Sequence, residues 1–311
     1  MGKYLAVSYD SERVYIALVK NGVVSGAASG PIVSAKNTGE AVSVAVRDTA
    51  QKHNLKNPES AMAIRDTECL TKRLDGKQLT EGDLMMNLPF EFGDFIRSGL
   101  EADYIFDYQV VYADKKERRL LAVAVPRTTV NDAIEIASDA EMELSRLVPE
   151  TCALGDLVEY FSHGLKCAIV VINSEDTMIR LYSGPECIAS HEINYGVSLI
   201  KEALQARSLS FFEGSAAAKG EVFDSELARD VADSLSMNIL SALDYFHEQG
   251  VFDATMPVYL AGEGALVPQI MRRLREESGA TCENIAKLMK GSIEENLAPM
   301  LASAIGAAID R

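Results

Sequence analysis

The chain has 311 residues, 48% hydrophobic and 24% charged, and a formal net charge of -16. That length exceeds one compact domain and predicts two domains or one fold with two lobes, in an ordinary globular composition without a disordered tail. The acidity excludes nucleic acid, whose phosphates need Lys and Arg to displace counterions, and it opposes direct adhesion to anionic lipid.

Along the chain, Tyr4 to Ser8, Val14 to Val19 and Val23 to Ala28 read as three strands, with Asn21-Gly22 as the hairpin signal before the third. Thr38 to Leu55 follows as a helix, with Ala41, Val44, Ala45 and Ala50 at helical spacing. A distinct block comes next. Leu70 to Leu79 predicts a strand, Thr80 caps a helix from Asp83 to Ile96, and Tyr104 to Tyr112 and Leu120 to Val125 are strands around the charged turn 114–118. Asn131 to Met142 is a helix. This β-α-β-β-α order suits a small inserted subdomain.

The opening pattern then recurs. Cys167 to Ile172, Thr177 to Tyr182 and Cys187 to Ile193 predict strands, turned at Ser183-Gly184-Pro185, with a helix from Ser198 to about Ala206 after Gly196. Strand, polar turn, strand, tight turn, strand and helix therefore occur at the start of each half. An amphipathic helix from about Ser225 to His247 is expected to bury Leu227, Val231, Leu235, Ile239, Leu243 and Phe246. Met256 to Ala261 reads as a buried strand, Pro268 to Glu277 as a helix stopping at Gly279, and Pro299 to Ile309 as a small-residue helix able to pack closely on another lobe.

No apolar run reaches the length of a membrane span, and the N-terminus has no signal-peptide core; Ala6 also breaks the myristoylation pattern. Cys69, Cys152, Cys167, Cys187 and Cys282 form no CxxC pair, which suits a reducing cytoplasm. His53, His163, His191 and His247 are equally dispersed, so no metal site is expected.

The most specific segment is Leu260-Ala261-Gly262-Glu263-Gly264-Ala265-Leu266-Val267-Pro268, a strand entering a Gly-rich turn and a helix. Alone it is an ordinary strand-to-helix connection. Its other reading is a ligand loop, since glycines admit close backbone approach and the helix N-terminus offers N–H groups to an anion. It resembles the adenosine-contacting motif of the actin, sugar-kinase and chaperone ATPase superfamily, with Glu263 in place of the second Gly. The central block, Asp83-Leu84, Leu88, Phe90-Glu91, Phe95-Ile96 and Phe106-Asp107-Tyr108-Gln109-Val110, and the final Ala302-Ser303-Ala304-Ile305-Gly306-Ala307-Ala308 resemble the PilM family of type IV pilus assembly proteins. More distantly, they resemble the division protein FtsA.

The resemblance implies an α/β, two-lobed actin-like (ribonuclease-H-like) fold around a nucleotide cleft. The first lobe would be 1–68, completed by 149–165 and a C-terminal helix at 296–311, with a subdomain inserted at 69–148 and a second lobe at 166–295. It implies ATP with Mg²⁺ in the cleft, held at Ser8, Asp10, Ser11, Lys219, Gly262, Glu263 and Gly264. It also implies a partner, the cytoplasmic tail of a PilN-like single-span membrane protein, and so a cytoplasmic scaffold peripheral to the inner face of the membrane. Whether protomers also assemble with one another is left open. Phe92 and Phe95 are the expected partner contacts; the competing reading of that aromatic stretch is the subdomain's own core.

The phosphate turns depart from the superfamily's Asp-x-Gly-Ser/Thr pattern. The first reads Ser8-Tyr9-Asp10-Ser11, where Ser8 replaces the Asp in one register and Asp10 serves as the carboxylate in another. The second, Asn173-Ser174-Glu175-Asp176, also lacks glycine. Carboxylates repel phosphate, so the expectation is a degenerate nucleotide site with no assigned catalytic residue. Lys219 matches the family's lysine near adenosine, but the accompanying Glu is missing; a solvated lysine is the alternative. Two other functions stay open: an active ATPase or small-molecule kinase of this fold, and an FtsA-like filament protein, whose usual basic membrane tail has no counterpart at Asp310-Arg311.

Overall fold

The structure is a computed structural model that describes residues 2–32, 38–56, 59–76, 80–114, 117–208, 211 and 225–309. The chain opens with β1 (Lys3–Tyr9), β2 (Arg13–Lys20) and β3 (Val23–Pro31), then α1 (Thr38–Lys52) and β4 (Glu59–Ile64). It departs through β5 (Leu70–Gly76), α2 (Glu81–Glu91), β6 (Tyr104–Ala113) and β7 (Arg118–Pro126), and returns with α3 (Arg127–Asp139), β8 (Glu143–Pro149) and α4 (Glu150–Ser162). The second half holds β9 (Lys166–Ile172), β10 (Thr177–Ser183), β11 (Glu186–Ile193), α5 (Ser198–Gln205), α6 (Glu226–Glu248), β12 (Val258–Ala261), α7 (Pro268–Glu277), β13 (Cys282–Asn284) and α8 (Ala302–Ala307).

Two five-stranded sheets share one topology. Their orders are β3-β2-β1-β4-β8 and β11-β10-β9-β12-β13, each an antiparallel meander extended by two parallel strands. The recurrence in the sequence is therefore a duplicated lobe. Each sheet is covered on both faces. The outer face of the first packs on α1 and α3 through Val7, Ile16, Val46 and Ile136. The outer face of the second packs on α5, α6 and α7 through Ile179, Ile200, Leu235 and Ile270. The inner faces meet across α4 and α8, which are wrapped by residues of both lobes, such as Ala6, Leu157, Ile169 and Ile305. Close approach of these two helices needs a residue without a side chain: a Cβ on Gly306 would lie 2.0 Å from the Ala153 carbonyl oxygen.

The third sheet, β5-β7-β6, carries α2 on one face, and Leu88, Phe92, Ile96, Ala122 and Ala124 form its core. Thr80 caps α2 as expected, its hydroxyl accepting from the Asp83 N–H. Three expectations are corrected. The insertion ends near Pro126 rather than 148, because β8 pairs with β4 in the first lobe's sheet and α3 packs against that sheet's outer face. Phe92 is 0% exposed and 5.9 Å from the Phe106 ring, so it is subdomain core and cannot be a surface contact for a partner. Leu227 faces solvent; the buried stripe of α6 starts at Ala228 and Val231.

Candidate functional site

The cleft between the lobes is built from three turns. The β1–β2 turn closes with the Asp10 N–H donating to the Arg13 carbonyl (3.0 Å), and the Asp10 carboxylate accepts the backbone N–H groups of Glu12 and Arg13, both at 2.7 Å. The β9–β10 turn is its counterpart: the Asn173 N–H donates to the Asp176 carbonyl (2.9 Å), and the Asn173 side chain donates to the Asp176 carboxylate (2.8 Å). The third turn follows β12. Gly262 has φ of +73°, and Cβ atoms on Gly262 and Gly264 would meet Ile172 of β9 at 2.5 and 2.3 Å. These glycines are required by the packing of the chain on itself, whatever ligand the turn meets.

Ser8, Asp10, Ser11, Gly262 and Glu263 line this cleft together with Ser174, Glu175 and Asp176. Gly264 sits behind it against Ile172, and Lys219 falls outside the described residues. The free space enclosed is about 60 Å³, against roughly 300–1,000 Å³ for pockets that bury a small molecule. Side chains from both lobes meet beside it. The Lys201 ammonium, on α5, donates to Glu12 (2.7 Å) and to the Ser174 hydroxyl (3.1 Å), and it pairs with Glu263 at 2.6 Å. The Tyr15 hydroxyl, on β2, lies 3.0 Å from the Asp10 carboxylate and 3.2 Å from that of Glu263.

One hydroxyl proton cannot satisfy two ionised carboxylates. A proton on Glu263 resolves this, with Glu263 donating to Tyr15 and Tyr15 to Asp10. The electrostatics agree: Glu263 is 2% exposed, and burial pushes its carboxyl up to about 7, with Lys201 opposing the rise. Burial, then Asp10 and Glu263, raise the Tyr15 phenol well above its ordinary value, so it remains a donor. For a phosphate chain the surroundings are adverse. Asp10, Glu12, Glu175, Asp176 and Glu263 converge there, and the turn amides of Glu12 and Arg13 are already used. Among the described residues, no group of three or more His, Cys, Asp or Glu is placed to hold a metal ion.

A second inter-lobe contact lies at the cleft's back. Arg180 of β10, 1% exposed, donates to Asp66 (2.6 Å) and Glu150 (2.8 Å). Ser303 of α8 also donates to Glu150, and the backbone N–H of Thr151 donates to Asp66. Sequence reasoning missed Lys201 and Arg180, although each left a signal. Lys201 interrupts the apolar stripe Val197, Ile200, Leu204, and Arg180 stands in mid-strand between Ile179 and Leu181.

A second concave feature separates the inserted sheet from the first lobe. This groove of about 410 Å³ is lined by Ile105, Val123, Val125 and Val130 and by Leu147 and Pro149 of β8. At its floor the Gln109 amide donates to Asp156 of α4 (2.6 Å). Among the described residues, the bordering strand β6 pairs with β7 alone. Phe95 is 62% exposed but lies outside the groove lining, as does Phe90.

The duplicated sheets, the helices between them and the three-turn cleft define an actin-like fold. A Bacteroides thetaiotaomicron structure described as having the actin-like ATPase fold aligns at TM-score 0.56 and 8% identity, over 99% of this chain and 96% of that one. The activator of 2-hydroxyisocaproyl-CoA dehydratase from Clostridium difficile, solved with ADPNP, aligns at 0.54 and 10% identity, over 99% and 94%. A PilM-PilN type IV pilus biogenesis complex aligns at TM-score 0.77 and 14% identity, over 99% and 98%. The family model described as type IV pilus assembly protein PilM matches residues 8–306. The chain belongs to that family. No curated protein sequence matches it.

Proposed function

We propose that the protein is a scaffold of type IV pilus assembly that captures the cytoplasmic tail of a PilN-like single-span membrane protein, as an extended strand beside β6. The observation that carries this reading is a strand edge, unpaired among the described residues, next to an apolar groove. An exposed strand edge offers main-chain hydrogen bonds, and the groove supplies pockets for alternate side chains. Family membership and the likeness to a PilM-PilN complex support the choice of partner. Among the described residues no helix is long and apolar enough to cross a membrane, so contact through a partner's tail fits the structure.

Titration of a fluorescent peptide carrying the partner's N-terminal tail tests the placement. Ile105→Lys, a charge on the groove wall, is expected to weaken binding by roughly tenfold or more, an interface loss of about 1.4 kcal/mol or greater. Phe95→Ala is expected to bind as wild type. The reverse result moves the site to the surface carrying Phe95, and no saturable binding by wild type sinks the scaffold reading.

We also infer that Mg-ATP binds weakly here, from the carboxylates around the cleft and its small free volume. Millimolar Mg-ATP is then expected to raise the melting temperature by less than about 2 °C. A rise above about 5 °C that requires Mg²⁺ restores the ATPase reading.

A further inference from the structure

We propose that Lys201 is a built-in cation that holds the two lobes closed without nucleotide. One ammonium, 4% exposed, joins the three turns of the cleft: Glu12 from the first lobe, and Ser174 and Glu263 from the second. The hydrogen bond between Glu263 and the Tyr15 hydroxyl of β2, 3.2 Å long, crosses between the same two lobes. This architecture is specific to cationic bridging. Lys201 lies between the half-exposed Glu12 of the first lobe and the buried Glu263 of the second, so one cation faces an acidic side chain from each lobe.

The lysine's surroundings fix its position. Val197, Ile200 and Leu204 anchor α5 in the second lobe's core, so the ammonium is delivered by a rigid element rather than by a loop. The first lobe contributes Glu12 from a turn that Asp10 already holds in shape through two backbone N–H groups. Both halves of the latch are thus ordered before they meet, which lowers the entropic cost of the bridge. The consequence is a protein whose closed form is its resting state, presenting one constant arrangement of subdomain and lobes to a partner.

The inference rests on the weak-nucleotide reading, and hydrogen exchange on the full chain separates the two. In wild type, the amides of 10–13 and 262–266 are expected to exchange equally slowly with and without Mg-ATP. Lys201→Met, which keeps the apolar stem, is expected to accelerate both segments roughly tenfold. Glu12→Gln, which preserves the Lys201–Glu263 pair inside the second lobe, is expected to give a smaller acceleration that vanishes in the Lys201→Met background. If Lys201→Met fails to fold, Glu12→Gln carries the test alone, and its exchange must exceed wild type. Unchanged exchange in folded Lys201→Met, or additive effects of the two substitutions, overturns the latch. Wild type that is slow only with Mg-ATP overturns both the latch and the weak-nucleotide reading.

Discussion

Arg180→Met is expected to destabilise the protein by about 3–5 kcal/mol, because it leaves Asp66 and Glu150 facing each other without a countercharge. In a chain of 311 residues this corresponds to a fall of about 5–8 °C in melting temperature. The guanidinium is buried, and burial opposes its charge. Asp66 and Glu150 outweigh that, holding its pKa well above the ordinary value, so the guanidinium stays charged. The residue's place in the fold explains the size of the effect. Arg180 comes from the second lobe, Asp66 follows β4 of the first, and Glu150 opens α4, which runs between the sheets. A single side chain therefore joins three elements. Adding Glu150→Gln to Arg180→Met is expected to recover a substantial part of the loss, since it removes one of the stranded charges. If the double variant is no more stable than Arg180→Met, the loss is one of packing and not of charge.

The duplicated meanders were legible because each strand ends in a marked turn and each opening run is apolar; β1 to β3 and β9 to β11 fall within a few residues of their predicted spans. Four elements gave no readable pattern. In β4 the residues Ser60 to Ile64 are buried on both faces, and in α4 every residue from Thr151 to Val158 is buried, so neither shows the alternation or amphipathic period that reveals a surface element. β8 and the three-residue β13 are too irregular or short to stand out, and missing β8 is what pushed the insertion's expected end to 148. At the cleft, the Gly-rich turn and the altered first turn were found by their spacing. Lys201 and Arg180 were not, because a lysine or arginine acquires meaning only when the fold brings carboxylates from elsewhere in the chain to meet it. Phe92 shows the converse. Its neighbourhood of aromatics is equally consistent with a groove and a core, and only the packing on Leu88 and Ala122 decides.

Glu263 is expected to make stability fall as pH rises between about 4.5 and 7. Its carboxyl has an ordinary value of 4.5, and burial raises it to about 7 in the folded chain, so within that window the folded state holds a proton that the unfolded state releases. The favourable contribution is complete below pH 4.5 and is lost as pH passes through 7. A displacement of that size amounts to about 3 kcal/mol, or about 5 °C for a chain of this length. The groups facing Glu263 are Asp10 and Glu12 of the first turn, Tyr15 of β2 and Lys201 of α5. Glu263→Gln mimics the protonated form and retains a donor for Tyr15, while Lys201 keeps Glu12. The measurement is the difference in melting temperature between Glu263→Gln and wild type, followed from pH 4.5 to 8, so that other titrating groups cancel. That difference is expected to climb by about 5 °C in favour of the glutamine variant. A flat difference, or a variant that loses stability relative to wild type as pH rises, would mean that the ionised Glu263–Lys201 pair outweighs the cost of burying the charge.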